Sequence, residues 1–451
     1  MPRLRAGVTI STSFHPSEQK TGCSQSKAVL NHPDTSQAGH APLHREPSIK
    51  LPAAFRRLAW SNLAAQSAEQ VALAASPIIA VVAFGADEGS AGLLQVAQTL
   101  PFVLFAIPIG LLADRISRPQ LMAGSEVLRL LSLTGIIALI GAGWLDLASL
   151  ALLGFIGACG TVGYSVAAPA LVPALVGPDR LSVANGRVEL ARTVAFTAGP
   201  ALGGAMVGWA GASFAFACAA ALSLAAVALL FGIREPSRVV GPRRHPARDI
   251  VEGLAFVFQH ALLRPVFLTQ IVFNVAFFVL LAVFVPYAVR HLALSPTGIG
   301  LTLATYGAGM IVGALISPWL VQAARFGTVL GVGPVTGFAA ATILALTIWV
   351  PSPPLAGLGW FLLGIGPIQW TISTTTLRQL VTPAGLLGRV SAINITSYGA
   401  RPLGAAIGAG VGGLWGAEAA LLVAAGLFLV QAWMVLVSPL VSLRERPAWA
   451  S

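Results

Sequence analysis

Six ionisable residues sit inside runs of apolar residues long enough to cross a bilayer: Glu69, Glu126, Arg129, Glu189, Arg192 and Arg401. A charge in lipid is costly unless something specific answers it, so each is a candidate for ion pairing, proton transfer or ligand binding. Glu126 with Arg129, and Glu189 with Arg192, share the spacing Glu-x-x-Arg. That spacing puts acid and base on one helix face, where each pair can neutralise itself near a membrane surface; a structural ion pair and a proton relay both fit. Glu69 has no cation on its own run. Asn62, Gln66 and Glu69 stand at i, i+4 and i+7, a polar stripe along one helix. A carboxyl group so placed can bind and release a proton, which makes Glu69 the candidate proton site.

Arg401 stands in the glycine- and alanine-rich stretch "SYGARPLG". It lies about twelve residues into its run, or roughly 18 Å at a helical rise of 1.5 Å per residue. That is near the midplane of a hydrocarbon core about 30 Å thick. Asn394, Tyr398 and Arg401 repeat the i, i+4, i+7 spacing and share a helical face. After Glu252 the only acidic residues are Glu418 and Glu445, at a loop and in the tail. The answer to Arg401 must therefore come from the amino-terminal half, from backbone carbonyls, from water or from an anionic ligand. Gln270, Asn274, Thr302, Tyr306, Gln369, Trp370 and Thr374 are further candidates to line the same cavity, although membrane helices also use such residues as packing glue.

The elements that hold these residues follow from composition. Hydrophobic residues make up 56% of the 451, charged residues 10%, and the mean hydropathy is +0.81. Soluble chains are roughly a quarter charged, and no soluble fold could cover so much apolar surface. The expected fold is an all-α polytopic membrane protein with twelve transmembrane helices in two six-helix bundles. Its spans begin near Leu58, Gly89, Leu121, Leu147, Val183, Ser213, Pro265, Gly298, Thr328, Leu355, Arg389 and Glu418. The domain plan reads as a disordered cytoplasmic tail (1–50), an amino-terminal bundle (51–232), a basic linker with an amphipathic helix at "DIVEGLAFVFQHAL" (233–262), a carboxy-terminal bundle (263–440) and a second cytoplasmic tail (441–451). Residues 1–50 lack a signal-peptide pattern and could be an over-extended start.

Alternate loops differ in charge. One side carries Arg56, Arg57, Arg115, Arg118, Arg180, Arg234, Arg238, Arg243, Arg244, Arg248, Arg325, Arg378, Arg444 and Arg446. The other carries Asp87, Glu88, Asp146 and Glu418, with Arg290 its only basic residue. By the positive-inside rule both termini are cytoplasmic. The net charge of +11 thus sits in short loops and does not call for nucleic acid. The halves also echo each other: "LVGPDRLSVANGRV…GPALGG" (Leu175 to Gly204) resembles "LVTPAGLLGRV…ARPLGA" (Leu380 to Ala405) at an offset of roughly 200 residues. A duplicated six-span unit is the plan of a rocking transporter.

"GLLADRISRP", Gly110 to Pro119, falls between spans two and three. It resembles the signature loop of the major facilitator superfamily, Gly-x-x-x-Asp-Arg-x-Gly-Arg-Arg/Lys, through Gly110, Asp114, Arg115 and Arg118; Ser117 and Pro119 depart from it. In physical terms Gly110 permits close helix approach, Asp114 suits the positive end of a neighbouring helix, and the arginines suit headgroups or a carboxylate. A cytoplasmic latch is expected from the four. "GPALGG" in span five, with Gly199, Pro200, Gly203 and Gly204, resembles the Gly-Pro-x-x-Gly-Gly element of exporters in the superfamily. The mirrored pattern and the loop together resemble the siderophore-exporter branch over about residues 52–440. Drug/proton antiporters usually carry an arginine in span four, and this chain has none there.

The function this implies is proton-driven export of a small molecule by alternating access, siderophore-like or otherwise anionic, amphiphilic or drug-like. Import or multidrug efflux on the same fold, and more remotely a membrane-embedded enzyme, are the alternatives. No phosphate-cradling Gly-x-x-x-x-Gly-Lys-Ser/Thr loop is present, and no histidine falls within a span. Cys23, Cys159 and Cys218 have no metal-ligand spacing, so no metal or cofactor is expected. The expected partners are the substrate, protons and the lipid of a bacterial-type inner membrane, with the protein acting as a monomer.

Overall fold

In lipid every backbone N–H and C=O must be satisfied within the chain, so apolar runs of this length fold as helices. A computed structural model describes residues 51–445 apart from 114, 177–179, 236–245, 384, 385, 387–389, 391, 392 and 395, and at 107, 111, 182 and 246–250 the backbone alone. The amino-terminal segment 1–50 and residues 446–451 lie outside it. The helices are α1 (Ala53–Phe84), α2 (Glu88–Ala113), α3 (Arg118–Ala142), α4 (Leu147–Leu175), α5 (Leu181–Ala210), α6 (Ala212–Leu230), α7 (Pro246–Gln259), α8 (Leu263–Arg290), α9 (Pro296–Ala323), α10 (Phe326–Leu346), α11 (Pro353–Val381) and α12 (Arg401–Leu436). Among the described residues there is no strand.

Ten of these segments are long and apolar enough to cross a membrane. The longest, Ser397–Leu436, is two spans: Gly416, at φ 86° and ψ 165°, breaks α12 into limbs 401–415 and 417–436. Only a residue without a Cβ adopts that backbone at little cost. The thirty-residue α5 is not among the ten; its first half carries Arg187, Glu189 and Arg192, and its second half is rich in glycine. Counting α5 and dividing α12 gives twelve spans, and the protein is a multi-pass, all-α membrane protein. Span starts agree with the sequence reading to within about five residues, except the eleventh: its expected start, Arg389, lies outside the described residues, and the described helix begins at Arg401 after a short 3-10 turn.

Within the first half α1 packs on α5 and α6, and α3 on α4 and α6. Within the second half α8 packs on α12, and α11 on α9 and α10. The halves meet chiefly along α5–α9 and α2–α12. The amphipathic stretch folds as α7, whose Val257 is buried with Leu263, Phe267, Val390 and Ile393 while Val251 and Phe258 stay exposed. At the carboxy-terminal end, residues expected to begin a tail instead pack on α10: Gly327 N donates to Leu443 O at 2.8 Å.

Candidate functional site

Three charges meet in the first half. Arg129 on α3 donates to Glu126 Oε1 at 2.6 Å and to Ala65 O at 3.0 Å, and its other terminal nitrogen donates to Thr161 Oγ1 of α4 at 2.8 Å. That same nitrogen lies 3.7 Å from Glu69 Oε2. The Glu126 side chain is fully enclosed, whereas that of Glu69 keeps 19% of its exposure. Glu69 therefore does have a cation beside it, supplied across the bundle by α3. The expected self-neutralising pair Glu126–Arg129 is present but shared with a second acid.

In the second half Arg401 has no such partner. Its Nε donates to Asn274 Oδ1 on α8 at 3.4 Å, and three rings surround the guanidinium: Tyr398 at 4.1 Å, Phe102 at 5.1 Å and Phe278 at 5.4 Å from its carbon. Phe102 belongs to α2, so the cage closes across the interface between the halves. Cation–π contacts are worth about 2 kcal/mol each when desolvated, against several kcal/mol to take a guanidinium out of water. The rings stabilise the cation without cancelling its charge. Glu418, the one span-end acid of this half, pairs with His291 at the far end of α8. Glu69, Tyr306, Tyr398 and Arg192 all lie close enough to Arg401 for their charges to interact. Among the described residues Arg401 forms no ion pair.

The structure scatters the other sequence candidates. Gln66, Tyr306 and Tyr398 remain partly accessible, and so does Asn394. Ser397–Ala400 winds as a tighter 3-10 turn before Arg401, so Asn394, Tyr398 and Arg401 do not form one α-helical stripe. Asn62 is turned into the first half, its Nδ2 donating to Val188 O on α5 at 3.4 Å. Gln369 is fully buried and donates to Gly313 O on α9. Trp370 Nε1 donates to Gln270 Oε1 at 3.2 Å, and the two line a cavity of ≈ 20 Å³ inside the second half. That is room for about one water and for no substrate. Asn62, Gln270, Gln369 and Trp370 are thus each hydrogen-bonded to a neighbouring helix in this structure. Arg192 does pair with Glu189, Nε to Oε2 at 3.0 Å, and stays partly exposed while reaching toward Tyr306 and Tyr398.

The glycine motif has two faces. A methyl group on Gly199 would lie 2.3 Å from Gln70 Cβ, and one on Gly203 3.0 Å from Ala74 Cβ, both on α1. Gly204 faces the other half, where a methyl would lie 2.5 Å from Pro296 O on α9. In α12, Gly404 and Gly408 meet Val275 and Val279 of α8 in the same way, and Ala409 meets Gly92 of α2. Residues 199 and 404, 203 and 408, and 204 and 409 are thus equivalent, each 205 apart. The sequence echo pairs Pro200 with Pro402, three positions out of this register. Arg401 therefore matches Phe196 and not the "GPALGG" motif.

The faces of the bundle differ. On the arginine-rich face Arg118 donates its backbone N–H to Glu235 Oε2 at 2.9 Å and pairs with that carboxylate through Nη1 at 3.2 Å. Arg115 is exposed, and Asp114 lies outside the described residues. A methyl at Gly110 would meet none of the described residues within 4 Å. On the arginine-poor face Arg290, at the end of α8, bonds Glu88 Oε2 and Ala86 O of the other half, each at 2.8 Å. Beside them Asp87 accepts from Ser90, and the hydrogen bonds of that serine hold its carboxyl below the ordinary carboxylate value.

Sequence reasoning missed Phe102 and Phe278, because phenylalanine in an apolar run carries no signal of its own. It also missed Thr161, Glu235 and the Arg290–Glu88 bridge. The bridge had one sign, Arg290 being the lone basic residue on its side.

The sequence profile of the transmembrane secretion effector family matches residues 52–449. The uncharacterised MFS-type transporter y4rN of Sinorhizobium fredii is 30% identical over 339 residues, covering 70% of this chain and 78% of that one. The enterobactin exporter EntS of Citrobacter koseri is 28% identical over 251 residues, covering 54% of this chain and 58% of the exporter's length. Among solved structures, a bacterial homologue of the iron transporter ferroportin in an inward-facing state aligns with TM-score 0.64 at 17% identity over 84% of this chain and 98% of that one. The nucleoside transporter NupG, as its D323A mutant, aligns with TM-score 0.68 at 14% identity over 85% and 99%.

Proposed function

Because this chain belongs to the transmembrane secretion effector family of the major facilitator superfamily, we propose that it exports a small anionic or amphiphilic compound by alternating access, driven by protons moving inward. That it is a membrane transporter of this superfamily follows from the family itself. The observation that carries the finer reading is Arg401: an uncancelled cation where the two halves meet, in a half with no carboxylate to answer it. An anionic substrate supplies the missing charge. Glu69 takes the proton, and the similarity to enterobactin exporters supports outward transport. The arginine-rich face lies toward the cytoplasm of a bacterial inner membrane, with both termini on that side. There the loop of Asp114, Arg115 and Arg118 latches the cytoplasmic ends. The protein works as a monomer, each chain holding both halves of its site.

Inverted membrane vesicles with an acidic lumen test this, using enterobactin as the probe. The wild type should accumulate it, and Arg401→Ala should lower uptake about tenfold or more, the worth of one charge-assisted hydrogen bond. Uptake by Arg401→Ala at the wild-type rate would remove the cation's role. Accumulation only under the reversed gradient would make the protein an importer.

A further inference from the structure

The first half buries two acids around one base. With Glu69, Glu126 and Arg129 all ionised, the group carries a net negative charge in the middle of the bundle. The other charge that reaches Glu69 is Arg401, from across the interface. Facing Glu126, besides Arg129, are Ser223 of α6 and Tyr164 of α4, neither of them a cation. Burying an uncompensated carboxylate is costly, so a proton belongs to this group. Its two acids are not equivalent. Glu126 is fully enclosed and 2.6 Å from Arg129, whereas Glu69 is 3.7 Å away and retains access to solvent. Arg129 cannot simply swing toward Glu69, because Ala65 O fixes the nitrogen that bonds Glu126 and Thr161 Oγ1 fixes the nitrogen that faces Glu69.

We propose that Glu69, Glu126 and Arg129 form a single one-proton site, in which Arg129 is a positioning residue that keeps Glu126 ionised and leaves the exchangeable proton on Glu69. Its role in transport rests on the proton-driven reading above. The step is a plain transfer: the O–H bond of the Glu69 carboxyl breaks, the proton passes to water, and its electron pair stays on the carboxylate. The arginine that drug antiporters usually carry in span four is absent from this chain. Here α3 provides the cation, and α4 contributes the hydroxyl that aims it. Interacting acids titrate as a pair, so the proton belongs to the site before it belongs to either residue. Geometry assigns it, because only one of the two acids can exchange with water.

Infrared titration of the purified full-length protein reads this without a substrate, through the C=O band of a protonated carboxyl group. The wild type should show one buried band that disappears as pH rises, and Glu69→Gln should abolish it. Glu126→Gln should keep the band but move its midpoint about one pH unit or more toward acid, since the charge of Arg129 is then no longer shared with a second carboxylate. Thr161→Val, which loosens Arg129 and leaves all three charges in place, should move it the same way by less. A band that survives Glu69→Gln and vanishes in Glu126→Gln overturns the assignment, as does a midpoint unmoved in both Glu126→Gln and Thr161→Val. Should Glu126→Gln fail to fold, Thr161→Val alone decides. The proton-driven reading fails by a different result, a wild type whose uptake ignores an imposed pH gradient.

Discussion

Glu69 and Asn274 each stand one residue before a tight contact between their helix and a glycine, α1 meeting Gly199 at Gln70 and α8 meeting Gly404 at Val275. The scaffold around them is shared, but the chemistry is not. In the first half the position is an acid, facing an arginine from a third helix and a second acid. In the second half it is an amide, accepting from an arginine that forms no ion pair among the described residues and has no acid of its own half beside it. Glycine contacts fix how closely the helices cross, so the neighbouring position is free to differ. One repeat has become the place where charge is titrated, the other the place where a fixed cation waits for an anion.

The sharpest way to break that division is to make the second half resemble the first. Asn274→Asp puts a carboxylate beside Arg401, where the amide oxygen now stands 3.4 Å from Nε. The cation would then be answered from within. Uptake of enterobactin into inverted vesicles should fall about tenfold to a hundredfold, since a charge-assisted hydrogen bond is worth about 1.5–3 kcal/mol. Asn274→Ala, which removes the acceptor and adds no charge, should cost much less. Equal losses in the two variants would show that Asn274 only packs, and the contrast between the halves would lose its functional meaning.

How much of this was legible in the sequence depends on what each residue's signal is made of. Span number, span order and the amphipathic α7 follow from apolar runs and their interruptions, which are local. Arg401 was visible because charge is rare in such runs, and its lack of an acid could be read by inspection of the acidic residues alone. The partners were not legible, because they come from other helices: α3 brings Arg129 to Glu69, and α2 brings Phe102 to Arg401. Polar residues are ambiguous for the same reason. Gln369 and Trp370 look identical in sequence whether they face a substrate or a neighbouring helix. The echo between the halves was real but misregistered, since Pro200 and Pro402 catch the eye while Gly199 and Gly404 make the equivalent contacts.

The two halves touch along two lines that differ in kind. At α5–α9, Gly204 meets backbone: a methyl there would lie 2.5 Å from Pro296 O and 2.7 Å from Gly300 Cα. Backbone cannot yield as a side chain can, so Gly204→Leu should hold the arginine-poor face open. With the native cysteines replaced, a cysteine at Thr297 should then react severalfold faster with a membrane-impermeant maleimide. Gly203→Ala, whose added methyl meets Ala74 Cβ and Val71 O at 3.0 Å, both within the first half and away from the contact between the halves, should change that rate little. Similar acceleration in both variants would mean that the helices merely loosened.

The α2–α8 end of the same face is closed by polar contacts, and those should matter less. Arg290 is 37% exposed and Glu88 12%, a setting in which an ion pair is worth about 0.2–1 kcal/mol. A change of that size moves a two-state population by no more than about fivefold. Glu88→Gln should therefore raise maleimide labelling at Thr297→Cys about two- to fivefold, less than Gly204→Leu does. Raising salt should shrink the difference, because an exposed pair is screened. The backbone bond from Arg290 to Ala86 O survives Glu88→Gln, so Arg290→Gln should have the larger effect of the two. A reversed order would place the closing force on Glu88 and its own half, and would leave the tight α5–α9 crossing as the element that joins the halves on this face.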